Sequence, residues 1–470
     1  MTDDLIDHPI RGIAAAVRDG STTFEAVVSN AVTRHGRFGD ALDAYKYWDE
    51  NRALAEARAA DAVLRAGRDA GAVMGLPVSV KDIYGVHDMP TFAGTPKEMP
   101  DIWRAEGPVV GALRRGLAIP MGKTHTVEFA FGAVGATGNW PSPRNPWDAG
   151  DHRACGGSSA GAGVSLAEGS AVIALGTDTG GSVRIPASVT GQVGLKTTIG
   201  RWCTAGIVPL SSSFDTPGTL TRTVEDAISA FAAIDPAWDD AEALFRRTGS
   251  LEAGDLRLAV PDEHFWDDCS PGIAENVKGA IDELAGKGAR VGRILLPEIA
   301  EARERFIRGG LFGVEGLSFM DEHYPERAET MDPNIGFRFK PSREVDAVSY
   351  FTEMRKIAEL AAAVDERLRS VDVLVTPTVP LTPPTMDEVS SIKGYSTANA
   401  MMSRNTQPVN LLALSAITMP IALDAAGMPV GLQLIARGGQ EERLLAAAWA
   451  VERALGTGRE RLGVPPMCQD

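Results

Sequence analysis

The chain has 470 residues, 44% of them hydrophobic and 23% charged, with a formal net charge of −16 at pH 7. That acidity leaves no general attraction to phosphate backbones, which dominate nucleic-acid affinity. No apolar run reaches the roughly 20 residues of a membrane-spanning helix. The start, Met1, Thr2, Asp3 and Asp4, lacks the basic opening of a secretory signal. Cys155, Cys203, Cys269 and Cys468 lie far apart without metal-ligand spacing, so reduced thiols in a cytoplasm are expected.

In chain order, residues 22–69 read as helical, with Leu54, Ala57, Ala60, Val63 and Leu64 at helical spacing. Met74 to Val80 reads as a strand that ends in Lys81 and Asp82. The run from Gly116 to Thr124 is close to a phosphate-binding loop. However, five residues separate Gly116 from Gly122 where that motif has four, so a phosphate cradle is not expected.

The most informative stretch follows. Ser158 and Ser182 each stand behind a pair of glycines, Gly156 and Gly157, and Gly180 and Gly181. Glycine pairs let backbone N–H groups approach a ligand closely, as stabilising an oxyanion requires. Residues 159–169 read as a helix of small residues, about 16 Å long at about 1.5 Å per residue. Ala171 to Leu175 reads as a buried strand of about the same length. A helix and returning strand of matched length would bring Ser158 and Ser182 to one edge of a sheet.

A nucleophilic serine needs a base. None of the seven histidines has flanks that mark it as one. Lys81, at a strand end beside apolar residues, is better placed, because burial favours the neutral amine and a neutral lysine can take a proton from a serine. Cys155, just before the glycines, reads as a small packed residue. Asp178 and Arg184, on either side of the second loop, read as structural partners. Asp178-Thr-Gly180 resembles half of an aspartic-protease site, but Gly181 stands where a hydroxyl residue belongs and no second copy exists.

Further along, Leu256 to Val260 and Ala289 to Leu296 read as strands, with Ile273 to Leu284 an amphipathic helix between them. Residues 300–350 read as the cover over the site. The aromatic side chains of residues 311–351, Phe312, Phe319, Tyr324, Phe337, Phe339, Tyr350 and Phe351, are candidates to line a substrate channel. Val371 to Pro377 and Ala416 to Leu423 read as late strands returning to the core.

Several segments, taken together, resemble the amidase signature family of serine hydrolases. They are Gly75-Leu-Pro-Val-Ser-Val-Lys-Asp82, Gly122-Lys-Thr124 leading to Glu128 and Phe129, Asn145-Pro-Trp147, Gly156-Gly-Ser-Ser159, Gly176 to Ala187, Gly194-Leu-Lys-Thr197, and Met428 to Leu434. The one departure is Ala160-Gly161, where the family usually has two glycines. The resemblance implies Ser182 as nucleophile, Ser158 as proton relay after a cis peptide, and Lys81 as base. It also implies an oxyanion hole of the N–H groups of Thr179, Gly180, Gly181 and Ser182, and an acyl pocket lined by Ala130, Phe131 and Gly132.

The implied fold is α/β, a single amidase-signature domain over residues 1–470 with a mixed central sheet and helices on both faces. Its parts would be an N-terminal helical region (1–69), a catalytic core (70–230), a variable substrate-covering region (235–350) and a C-terminal part returning to the sheet (351–470). The implied activity is hydrolysis of a small amide, with esters and carbamates open to the same machinery. No metal or organic cofactor, nucleic acid or membrane is expected, and a homodimer is compatible. The alternative is the amide-hydrolysing, ammonia-delivering component of a tRNA-dependent amidotransferase complex.

Overall fold

The computed structural model describes residues 5–238 and 240–469. Eleven strands occur among them: β1 (Tyr45–Trp48), β2 (Pro77–Lys81), β3 (Ile119–Thr124), β4 (Ile173–Thr177), β5 (Val193–Lys196), β6 (Pro217–Thr221), β7 (Arg257–Pro261), β8 (Arg290–Ile294), β9 (Val373–Pro377), β10 (Ser415–Leu423) and β11 (Pro429–Ala436). They form one sheet in the order β1-β3-β2-β4-β6-β5-β10-β11-β9-β7-β8. The sheet is mixed: β2 runs parallel to β3 and β4, and β7 parallel to β8 and β9, while β4, β5, β6, β10 and β11 pair antiparallel. Every residue of β2, β3, β4, β6, β9 and β11 is buried, so both faces are covered there, as their near-continuous apolar runs require. Exposed Arg290 and Arg293 mark β8 as a sheet edge kept from pairing further by charge.

The helix Ile273–Gly286 buries Ile273, Val277, Ala280, Ile281 and Leu284, the one-sided stripe expected of it. The expected helical span 22–69 is two helices, Phe24–Leu42 and Glu50–Arg65, separated by β1. Asp43 adopts a left-handed φ of 51° and ends the first helix, and the Asp49 carboxylate caps the second by accepting the Arg52 N–H at 3.0 Å. Between them Tyr45, Tyr47 and Trp48 are good strand formers and pair with β3.

The helix expected over 159–169 runs only from Ala162 to Glu168, and the residues before it form a loop; the Gly157–Ser158 peptide is cis. The strand expected at 171–175 lies two residues later, as β4. The Gly116–Thr124 run is mostly β3, which excludes a phosphate cradle. Among the described residues no helix is long and apolar enough to cross a membrane.

Candidate active site

β2 and β4 lie side by side and parallel, so their C-terminal ends, Lys81 and Thr177, come together at one edge of the sheet. The Lys81 Nζ lies 2.7 Å from Ser158 Oγ and 2.8 Å from Thr177 Oγ1. The Ser159 N–H donates to the Ser182 carbonyl at 3.3 Å, which joins the two glycine-serine loops. Lys81 and Ser158 are fully buried, and Ser182 is 8% exposed. Burial pushes the Lys81 amine down to about 7, against the upward pull of the Asp215 and Asp178 carboxylates.

Two other lysines, Lys123 and Lys196, are equally buried. Lys123 is matched by the Asp82 carboxylate at 3.2 Å. Lys196 donates to the carbonyls of Thr197 and Leu414 and is also pushed down by burial, to about 7. Burial alone therefore does not distinguish a base. Lys123 also reaches a hydroxyl, that of Thr91 at 2.8 Å, but Lys81 differs in facing a serine hydroxyl, that of Ser158, with no carboxylate among the described residues in contact to hold its proton.

The second loop is built around Asp178. Burial would raise this carboxyl, but the Arg184 charge and hydrogen bonds hold it well below the usual carboxylate range. Arg184 Nε and Nη2 donate to its two oxygens at 3.0 and 2.9 Å, and the guanidinium also reaches Gln433, Asn410 and the Thr406 carbonyl. This fully matched buried pair ties the loop to β11 and to the 406–410 segment. Removing Arg184 alone would strand a buried anion, at a cost of about 3–5 kcal/mol.

The Gly181 N–H donates to Asp178 Oδ1 at 2.8 Å. The N–H groups of Thr179, Gly180 and Ser182 have no acceptor among the described residues, so three of the four expected donors remain free for an oxyanion. Asp215, which the sequence did not single out, sits beneath them. It accepts the Thr179 hydroxyl at 2.5 Å and the N–H groups of Leu210 and Ser211 at 2.9 and 3.0 Å, and burial lifts its carboxyl to about 6. Thr177 and Tyr84, whose hydroxyl donates to the Gly176 carbonyl at 2.6 Å, are further buried supports that sequence reasoning missed.

Ala130, Phe131 and Gly132 lie beside the first loop. The Val127 N–H donates to the Ser158 carbonyl at 3.0 Å, and a Cβ on Gly157 would meet the Gly132 carbonyl at 2.6 Å. Phe129 and Ala130 hold left-handed φ values of 46° and 58°. Such non-glycine residues cost on the order of 1–3 kcal/mol each and persist only where the surroundings enforce them. Here the Ala93 carbonyl accepts the Phe129 N–H at 2.9 Å, and the Glu128 carboxylate accepts the Asp332 N–H at 2.7 Å.

The aromatic residues of the cover divide. Phe339 stacks on Phe131 with ring centroids 4.5 Å apart, and Phe312 lies 3.0 Å from where a Gly180 Cβ would be. Phe319 and Tyr324 pack against each other and Trp103 instead. Phe337 and Phe351 are 49% and 70% exposed, so neither lines the site in this arrangement. Phe337 and Phe339 are two residues apart on the helix Pro333–Phe339, and about 100° per residue puts them on opposite faces.

The Cys155 thiol is buried and pushed up to about 12 by burial, which makes it inert. No group of three metal-ligating side chains is placed to hold a metal ion among the described residues. A cleft of about 1270 Å³, lined by residues including Arg11, Arg201 and Trp202, contains none of Lys81, Ser158 or Ser182.

Known proteins resemble this chain in sequence and fold. Residues 26–445 match the family described as Amidase. The 2-amino-5-chloromuconic acid deaminase of Comamonas testosteroni is 47% identical, covering 97% of each chain. A glutamyl-tRNA(Gln) amidotransferase component of Exiguobacterium sibiricum is 31% identical, covering 96% of this chain and 98% of that one. A crystal structure of an amidase superposes with a TM-score of 0.85 at 31% identity, covering 96% of this chain and all of the other.

Proposed function

The chain belongs to the Amidase family, and from that premise we propose that it hydrolyses the carbon–nitrogen bond of a small amide through an acyl-enzyme on Ser182, with Ser158 as proton relay and Lys81 as base. The observation that carries this reading is the contact between Lys81 and Ser158, a buried amine lowered to about 7 and 2.7 Å from a hydroxyl.

In the neutral state Lys81 donates to Thr177 and uses its lone pair to accept the Ser158 proton. Ser158 in turn takes the proton of Ser182, whose Oγ attacks the amide carbonyl. The free N–H groups of Thr179, Gly180 and Ser182 receive the developing oxyanion. Charge there is stabilised by fixed dipoles that need no reorganisation. Collapse of the tetrahedral intermediate breaks the carbon–nitrogen bond, and Ser158 returns a proton to the leaving nitrogen. Water then enters through the same relay, is deprotonated as it attacks the acyl carbonyl, and releases the carboxylic acid with Ser182 restored. Aryl esters and carbamates present the same carbonyl and are substrates by the same route.

The relative named as a deaminase of an amino-substituted acid supports ammonia as a leaving group. The amidotransferase alternative draws on more distant relatives, and it would require a partner for turnover. The test is ammonia or amine release by the purified chain alone from primary amides, anilides, aryl esters and carbamates. Wild type should turn over at least one amide, and Ser182→Ala should lose about 10⁴-fold or more of kcat. Turnover retained in Ser182→Ala would overturn the nucleophile, and activity only after adding a tRNA-binding partner would favour the alternative.

A further inference from the structure

Against Phe131 and Gly132 stand two side chains that each bury a polar atom without a hydrogen-bond partner. Tyr395 is 1% exposed, and its hydroxyl has no hydrogen-bond partner. It presses on Gly132, where a Cβ would fall 2.2 Å from the phenolic oxygen. One turn further along the same helix, Asn399 accepts the Ala133 N–H at 2.7 Å, so the helix Ile392–Met402 clamps the segment that packs against Gly157 and Ser158. Burial raises the Tyr395 phenol to about 12, with Arg338 opposing, so it stays a neutral donor at ordinary pH.

Arg338 is partly buried and comes from the cover. Its guanidinium lies over the Phe131 ring, 4.2 Å from the centroid, and its Nε is shut off from solvent without an acceptor. Among the described residues nothing accepts from that nitrogen, although the chain carries 62 acidic residues against 46 basic ones. A shielded cation is ordinarily matched by an acid, since leaving it unmatched is costly. Arg338 and Tyr395 act on each other electrostatically, so the two unmatched donors share one environment.

We propose that Arg338 and Tyr395 form a carboxylate-binding subsite beside the relay serine, so that the preferred substrates are amides that also carry a free carboxylate. The planar guanidinium matches a carboxylate in a two-pronged contact, and the phenol supplies a further donor. The Phe131 and Phe339 rings provide an apolar wall for the chain between the acid end and the amide carbonyl. This inference rests on the amide-hydrolase reading and narrows its substrate class.

The test compares initial ammonia release from glutaramate and from its neutral isostere glutaramide. Wild type should favour glutaramate in kcat/KM by about tenfold or more, the scale of hydrogen bonds to a charged group. Arg338→Gln should bring the ratio to within about twofold of one, mainly through KM, and Tyr395→Phe should lower it by a smaller factor. A fold defect would slow both substrates together and leave the ratio standing. Calorimetric binding of glutarate to Ser182→Ala, with and without Arg338→Gln, reads the subsite independently of turnover. A ratio unchanged by Arg338→Gln, or glutarate binding that survives it, overturns the subsite and leaves the hydrolase reading intact. Glutarate binding that depends on Arg338 supports the subsite even if neither amide is cleaved.

Discussion

Between Gly156 and Arg184 an added side chain collides with its surroundings at several points. A Cβ on Gly156 would meet the Pro186 Cα at 2.8 Å, one on Gly157 the Gly132 carbonyl at 2.6 Å, and one on Gly181 the Thr406 hydroxyl at 2.1 Å. The outer face of the cover is different: the nearest atom to a Cβ on Gly336 is the Met331 sulfur at 3.8 Å, and Phe337 stands half exposed. The first region holds Ser158 and Ser182 through close contacts that leave no room for a side chain at these three glycines. The second touches the site at a few side chains, Phe312, Arg338 and Phe339, and has room for change on its solvent face, at Gly336 and Phe337. The proposed function assigns the chemistry to the first of these parts and gives the second a share in selecting the substrate.

The strongest way to break that comparison is to perturb the rigid loop without touching a reactive group. Gly181→Ala places a methyl against Thr406 and Ile185 at a φ of 128°, a region closed to alanine. It should displace the neighbouring N–H donors and lower kcat by about 10²-fold or more, the scale of losing one oxyanion donor. A rate within a few-fold of wild type would show that the loop tolerates movement.

A second effect is set by Lys81. Only its neutral form can accept a proton, so kcat/KM should rise with pH through a midpoint near 7 and fall about tenfold per unit below it. Because Asp215 pulls that value upward, Asp215→Asn should shift the midpoint to lower pH. A flat profile between pH 5 and 8 would remove Lys81 as the base.

The smallest effect sharpens the account of the cover. Phe312→Ala, against the oxyanion loop, should change KM several-fold, whereas Phe337→Ala, facing solvent, should stay within about twofold of wild type. Both variants are read by steady-state kinetics on one anilide, and equal effects would mean that the cover acts as a whole rather than through its contacts.

What was legible in the sequence follows the same division. Ser158 and Ser182 could be picked out because tight backbone packing demands glycine at fixed places, and glycine pairs are visible in a string of letters; Lys81 stood out as the charged end of an apolar strand. The meeting of the two loops was also legible, from the matched lengths of helix and strand, even though both elements shifted by a few residues. β1 was not, because four residues between two helices carry little periodic signal. Asp215 was hidden because its role arises only when the 210–215 turn folds beneath Thr179. Arg338 and Tyr395 were hidden for a related reason: each is unremarkable alone, and only their burial without partners sets them apart. Phe337 and Phe339 looked alike as letters, and the helix turned them to opposite sides.

The central claim, a covalent acyl-enzyme on Ser182, is tested most directly by acid-quenching the chain during turnover of an anilide or aryl ester and locating the acyl mass by peptide mass spectrometry. The adduct should fall on the peptide containing Ser182 and vanish in Ser182→Ala. An adduct on Ser158 or Cys155, or one that persists in Ser182→Ala, would contradict the account.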